Sequence, residues 1–183
     1  MDAPKRSREN WIEAAFESLG EIGVDKVRVD QLATALGVTK GSFYWHFKDR
    51  SELLAAVVDG WEARGTEDII REVERTGRDS QTRARHLWKL TSGGEGMRGE
   101  LAIRDWARRD SAIAARVQQV DDRRMRYLEA LFVDLGMPSN EVGPRALLVY
   151  SLLIGDYLIA TSHAHRTRRK LVADALALVL RAR

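Results

Sequence analysis

The chain has 183 residues, 44% apolar and 31% charged, so it can bury a core under a well-solvated surface; a disordered chain, a collagen-like fibre and a membrane protein are excluded. With no cysteine, it excludes disulfide scaffolds, thiolate zinc sites, iron–sulfur clusters and cysteine nucleophiles, and it fits a reducing, cytoplasmic setting, as does an opening Met-Asp-Ala-Pro-Lys without the apolar stretch of a secretory signal. Net charge is +3 with a pI near 9.4, yet residues 1–50 hold eight Lys/Arg and eight Asp/Glu, so attraction to a polyanion must come from local placement of charge.

Few prolines, abundant Ala, Leu and Arg, and frequent helical periodicity predict an all-α fold. Ser7 can cap a first helix whose Ile12, Phe16 and Leu19 share a face, with Gly23 to end it. Lys5, Arg6 and Arg8 stand at its start, on what reads as a loose arm. A short helix over 30–36 closes at Gly37, and Thr39 offers a cap oxygen for a third over 40–47. Asp49 to Glu52 restarts a helix with an apolar face of Leu53, Leu54, Val57, Val58 and Trp61; the pattern continues to about Arg75, with Gly60 and Gly65 as weak points. Further helices are expected over 82–91, 100–109, 112–135, 146–164 and 167–181, with 141–144 a separate first turn. The glycine-rich 92–96 reads as the most flexible stretch.

Residues 31–47, QLATALGVTKGSFYWHF, carry the helix–turn–helix spacing: a small Ala33 where two helices approach, Gly37 in the turn, and Val38 and Phe43 plugging the gap. Of the 40–48 stretch, only Phe43 and Phe47 are needed for packing. Lys40, Ser42, Tyr44, Trp45, His46 and Lys48 add nothing to the stability of a short exposed helix, but they suit a duplex: ammonium, hydroxyl and imidazole groups donate to phosphates, while aromatic edges cover sugars and thymine methyls. Lys40, Gly41 and Ser42 sit at the leading end, within reach of base edges, and Gly41 would let the backbone come close. Thr39, Tyr44, His46, Lys48 and Arg50 are better placed for phosphates; Tyr44 and Trp45 can serve both. The bland alternative is a solvated helix with a basic fringe.

Residues 12–57, above all GVTKGSFYWHFKDR, resemble the tetracycline-repressor (TetR) family of bacterial transcriptional regulators. The resemblance implies a homodimeric, all-helical repressor with an N-terminal DNA-binding domain (1–50) and a C-terminal effector-binding and dimerisation domain (51–183), which leaves a palindromic operator when a small apolar or amphipathic effector binds. It departs from the family at Arg28, where Ser or Thr often precedes the second helix; this leaves the cap to Asp30 or to water and puts the phosphate contact usually made there in doubt. WARRD at 106–110 and VDDRR at 120–124 look like pieces of one recurring subgroup, and their charge spacing suggests structural ion pairs.

Residues 146–160, ALLVYSLLIGDYLIA, are apolar nearly all round but too short to span a bilayer, with Asp156 costly inside one. A helix greasy on every side must be covered on every side, which in a chain this size suggests a second subunit, and the resemblance implies a dimer bundle from the last two helices; Ser151 and Gly155 would permit close approach. Trp88, Met97, Leu101, Trp106, Met125, Tyr127, Phe132, Tyr150 and Tyr157 are candidates to line an effector cavity, although such side chains at helical spacing are more often plain core. Asp156 can pair with an arginine or meet a cationic ligand. His163 and His165 point to different faces of a helix with no further ligand nearby in sequence, so no metal is expected, and the Arg166 to Lys170 run reads as basic surface. No HExxH, GxSxG or GxxxxGK is present, and the GxGxxG spacing at residues 94–99 follows an expected helix where a nucleotide loop should follow a strand, so neither an enzyme nor a cofactor is expected. The alternative to a ligand-released repressor is a DNA-binding regulator governed by a partner protein or by its own abundance.

Overall fold

A computed structural model describes residues 7–76, 79–92, 94, 96–160 and 167–180. The helices are α1 (Arg8–Ile22), α2 (Val29–Leu36), α3 (Lys40–Phe43), α4 (Arg50–Glu62), α5 (Asp68–Arg75), α6 (Ser80–Thr91), α7 (Met97–Ala107), α8 (Ser111–Asp134), α9 (Ser139–Gly155) and α10 (Arg168–Leu180), with no strand among the described residues. A 3-10 turn, Val24–Lys26, joins α1 to α2, and a π-helical segment, Ala63–Glu67, joins α4 to α5 around the weak point at Gly65. Lys5, Arg6, Gly93, Glu95, His163, His165 and Arg166, discussed above, lie outside the described residues.

Local chemistry sets most boundaries. Ser7 Oγ accepts the Asn10 N–H while Asn10 Oδ1 accepts the Ser7 N–H, a reciprocal cap for α1. Gly37 takes φ +69° after α2, a left-handed turn that a side chain would strain. Asp49 caps α4 through the Glu52 N–H, and the Glu52 carboxylate reaches back to the Lys48 N–H at 2.6 Å. Three expectations change. The third helix stops at Phe43, because Tyr44 and His46 bond to Gly41 and Phe43 in tighter i-to-i+3 turns, and Thr39 gives it no side-chain cap. Pro144 lies inside α9 instead of ending a separate turn, and α9 ends at Gly155. Arg8 is the first residue of α1, with its guanidinium 4.8 Å over the Phe47 ring.

The chain forms two compact units, residues 1–68 with 94–120 and residues 69–93 with 121–183; residue 50 falls inside the first. The first is a sealed core of α1 to α4, α7 and the start of α8. Trp11 meets Phe43 edge-on at 5.3 Å, Phe43 stacks on Phe47 at 5.4 Å, and Leu19, Leu53, Val57, Val58 and Ile103 are fully buried. Helices α1 and α7 cross where both carry glycine: a methyl on Gly99 would lie 2.2 Å from the Phe16 ring, and one on Gly20 would lie 3.0 Å from the Gly99 nitrogen. The buried Trp61 indole donates to Glu100 at 2.7 Å, and Arg104 bonds the other oxygen of that carboxylate at 2.7 Å.

The second unit packs Leu128, Phe132, Val142, Ala146 and Val149 into a smaller core, with Leu176, Val179 and Leu180 partly buried against it. Its outer surface is unlike the first unit's. Leu147, Leu148, Leu158, Ile159 and Leu178 are each more than half exposed, and space over Gly155 is open. The helix expected to be covered on every side is therefore bare along one face in the single chain.

Candidate nucleic-acid interface

The two aromatic stacks inside the first unit decide which way α3 points. With Phe43 and Phe47 held in the core, the intervening residues turn outwards: Trp45 is 87% exposed and Tyr44 59% exposed. Tyr44 also lies edge-on to Phe43 at 5.2 Å, so its ring is anchored while much of its surface is left open. Exposing an indole costs on the order of 2 kcal/mol relative to burying it, and no contact inside the fold recovers that at Trp45. Thr39, Lys40, Gly41 and Lys48 are exposed, and Ser42 and His46 half-buried. A methyl added to Gly41 would meet only Thr39 Oγ1, at 3.7 Å, so the fold itself does not require glycine there.

Beside α3 lies an open cleft of about 440 Å³. Lys40, Phe43, Tyr44 and Lys48 form one wall, Asp25, Val27, Arg28, Val29 and Asp30 the other, and Asp49 and Arg50 the end. Arg28, at the N-cap position of α2, makes no side-chain cap. The signal for this wall was a basic residue ahead of α2, which sequence spacing could not connect to Lys48 because the two meet only in the folded unit. Of the three acidic groups, Asp49 is occupied as a cap and Asp25 is paired with Arg109 at 2.7 Å, which leaves the basic side chains less opposed. Arg50, expected at a phosphate, gives its Nε to the Val27 carbonyl at 2.7 Å and its Nη2 to the Val24 carbonyl.

The effector-site candidates are divided between the units, with Leu101 in the first and Phe132 in the core of the second. Met97 and Trp106 belong to the first unit, where Trp106 packs against the core; Trp88, Met125, Tyr127, Tyr150, Asp156 and Tyr157 belong to the second. In the second unit several polar ends are already engaged. Tyr127 donates to Glu74 at 2.6 Å, and burial first, then that carboxylate, pushes its phenol up from the ordinary range. Tyr150 donates to Asp121 at 2.7 Å and accepts from Arg124 at 3.2 Å. Asp156 resolves in favour of an arginine: Arg168 Nε lies 2.7 Å from its carboxylate, and Nη2 reaches its backbone carbonyl. Arg168 is thereby more than basic surface. The 106–110 segment also supplies structural ion pairs, Arg109 bridging Asp25 and Asp105, while Asp110 Oδ1 caps α8 at the Ala112 N–H. Among the described residues there is no cluster of acids and histidines able to hold a metal, and no helix is long and apolar enough to cross a membrane.

Residues 12–57 match the family model for bacterial regulatory proteins of the tetR family. The chain is 32% identical over 129 residues to tetracycline repressor protein class C of Escherichia coli, across 68% of this chain and 54% of that one. It is 34% identical over 70 residues to the HTH-type transcriptional regulator AcrR of Shigella flexneri, across 38% of this chain and 30% of that one. Such matches span from a quarter to about half the length of the curated relatives. A TetR transcriptional regulator from Legionella pneumophila shares the fold at a TM-score of 0.75 and 16% identity, with 99% of this chain and 100% of that one covered. The outward aromatic tip, the helix–turn–helix that carries it and these likenesses agree: the chain belongs to the tetR family of bacterial regulatory proteins.

Proposed function

We propose that the protein is a cytoplasmic, dimeric repressor that binds a near-palindromic operator and is released from it by a small apolar or amphipathic effector. Residues 1–50 read DNA, and residues 51–183 carry dimerisation and the effector site. The observation that carries the reading is the outward display of Trp45 and Tyr44 between Lys40 and Lys48, a cost to the isolated fold that contact with a duplex offsets. Lys40, Gly41 and Ser42 read base edges; Thr39, Tyr44, His46 and Lys48 hold phosphates, and Trp45 covers sugar or thymine methyl.

Dimerisation through the last two helices is supported by the bare apolar face of Leu147, Leu148 and Leu178, because isolated chains seldom leave so many large aliphatics uncovered. Two copies would place their α3 helices in successive major grooves about 34–36 Å apart. For the effector we retain Trp88, Met125, Tyr127, Tyr150 and Tyr157, all in the second unit, as the lining. The engaged state of Tyr127, Tyr150 and Asp156 favours an apolar ligand over a cationic one, since a cation would have to displace partners already in place. Selection of bound fragments from a random DNA pool tests the reading: recovery of a palindrome supports it, and recovery of no preferred sequence refutes it. Titration of the selected complex with lipophilic compounds then separates release by a ligand from control by a partner protein or abundance.

A further inference from the structure

We infer that Arg50 serves DNA binding as a positioning residue that locks the turn between α1 and α2, and not as a contact to phosphate; this rests on the DNA-binding reading above. An arginine recognises phosphate with a pair of N–H groups on one edge of its guanidinium. At Arg50 the side-on Nε–Nη2 edge is taken: Nε donates to the Val27 carbonyl at 2.7 Å and Nη2 to the Val24 carbonyl, both part-buried, so only the Nη1 side of a guanidinium already held by the turn is left for any other acceptor. These two carbonyls flank the 3-10 turn Val24–Lys26, which leads through Arg28 into α2 and forms the wall of the cleft opposite Tyr44 and Lys48.

Arg50 opens α4, directly after the Lys48 and Asp49 pair that starts that helix. One side chain therefore ties the start of α4, at the end of the cleft, to the turn beside its second wall, across 23 to 26 residues of sequence. Arg109 also holds this turn, at its middle residue Asp25, at 2.7 Å, but both partners of that pair are more than half exposed. Water and salt screen it, so its part is small.

A lysine at position 50 keeps the charge but cannot reproduce the fork, which makes Arg50→Lys the deciding variant. The full-length protein is titrated with a mixed-sequence duplex over a range of salt, and amide exchange is followed without DNA. The expected result is that Arg50→Lys and Arg50→Met lose affinity alike, by about tenfold, as two charge-assisted bonds to the turn are lost. The salt slope stays close to that of the unaltered chain. The Lys26 and Val27 amides, bonded back to Gly23 and Val24, exchange faster in the free protein. The assignment is overturned if Arg50→Lys binds as the unaltered chain does while Arg50→Met drops the slope by about 0.9, the signature of one lost phosphate contact. It is equally overturned if exchange at Lys26 and Val27 is unmoved. Should Arg50→Met fail to fold, Arg50→Lys with a native melting curve decides alone: reduced affinity supports the assignment and full affinity refutes it. Arg109→Ala should change affinity less than twofold. An unaltered chain that ignores duplex DNA would instead sink the DNA-binding reading, a result the exchange measurement does not depend on.

Discussion

The two units of this chain expose opposite kinds of apolar surface. The first seals its large aliphatics apart from Ile22 and turns out an indole and a phenol among lysines; the second turns out leucines, isoleucine and valine. Flat aromatic rings with polar ends suit a hydrated, charged partner such as a duplex, where stacking and hydrogen bonding both count. Aliphatic side chains offer only dispersion and desolvation, which pay only against another aliphatic surface. Surface composition thus separates the unit proposed to meet nucleic acid from the unit proposed to meet protein.

The contrast can be broken most severely at the aliphatic face. Leu148→Glu combined with Leu178→Glu places charges where a second chain would dock, and sedimentation should then show single chains. Operator affinity should fall by about a hundredfold or more, because a second headpiece no longer binds at high effective concentration. Dimers that persist would remove the face from the account. Next in size is the glycine crossing of the first unit. Gly99→Ala forces a methyl to within 2.2 Å of the Phe16 ring, and denaturant unfolding should report a loss of about 1–3 kcal/mol. Phe16→Leu in the same chain should return part of it.

The aromatic face is sharpened by changes that spare stability. Trp45→Ala should reduce duplex affinity about tenfold while unfolding free energy moves by less than about 0.5 kcal/mol, as at an ordinary surface site. A large change in stability would mean that the indole packs somewhere after all. Smallest in stability is Gly41→Ala. The methyl has room, and alanine favours a helix over glycine by up to about 1 kcal/mol, so the melting temperature should hold or rise slightly. Binding should weaken nonetheless, since on the proposed reading the same methyl stands where the backbone approaches the bases. Unchanged binding would move base reading away from the leading end of α3.

What was legible in the sequence follows the range of each interaction. Ser7, Gly23, Gly37 and Asp49 act within a turn or two, and each helix limit they predict is found. Phe43 and Phe47 were legible as core because their spacing admits little else once a helix–turn–helix is recognised. The early end of α3 was not, because Phe43 and Phe47 keep one side through tightened turns as well as through a regular helix. Pro144 misled for a different reason: as the sixth residue of α9 it forgoes a bond back to the Asn140 carbonyl, yet the helix continues through it. The partners least open to reading were those far apart in the chain. Nothing near Gly99 announces Phe16, and nothing near Arg50 announces Val24. The candidate interface was legible in its aromatic and lysine residues and illegible in its second wall, which α2 contributes.

The bare leucines of the second unit carry one more consequence. If folding is completed only when two chains meet, heat resistance becomes a function of how much protein is present. Each tenfold dilution should then cost the pair about 1.4 kcal/mol, and the midpoint of thermal unfolding should slide downward as the sample is thinned. At the scarcity typical of a regulator, a fraction of molecules would be half-assembled at any moment, so abundance itself would help set how long an operator stays covered.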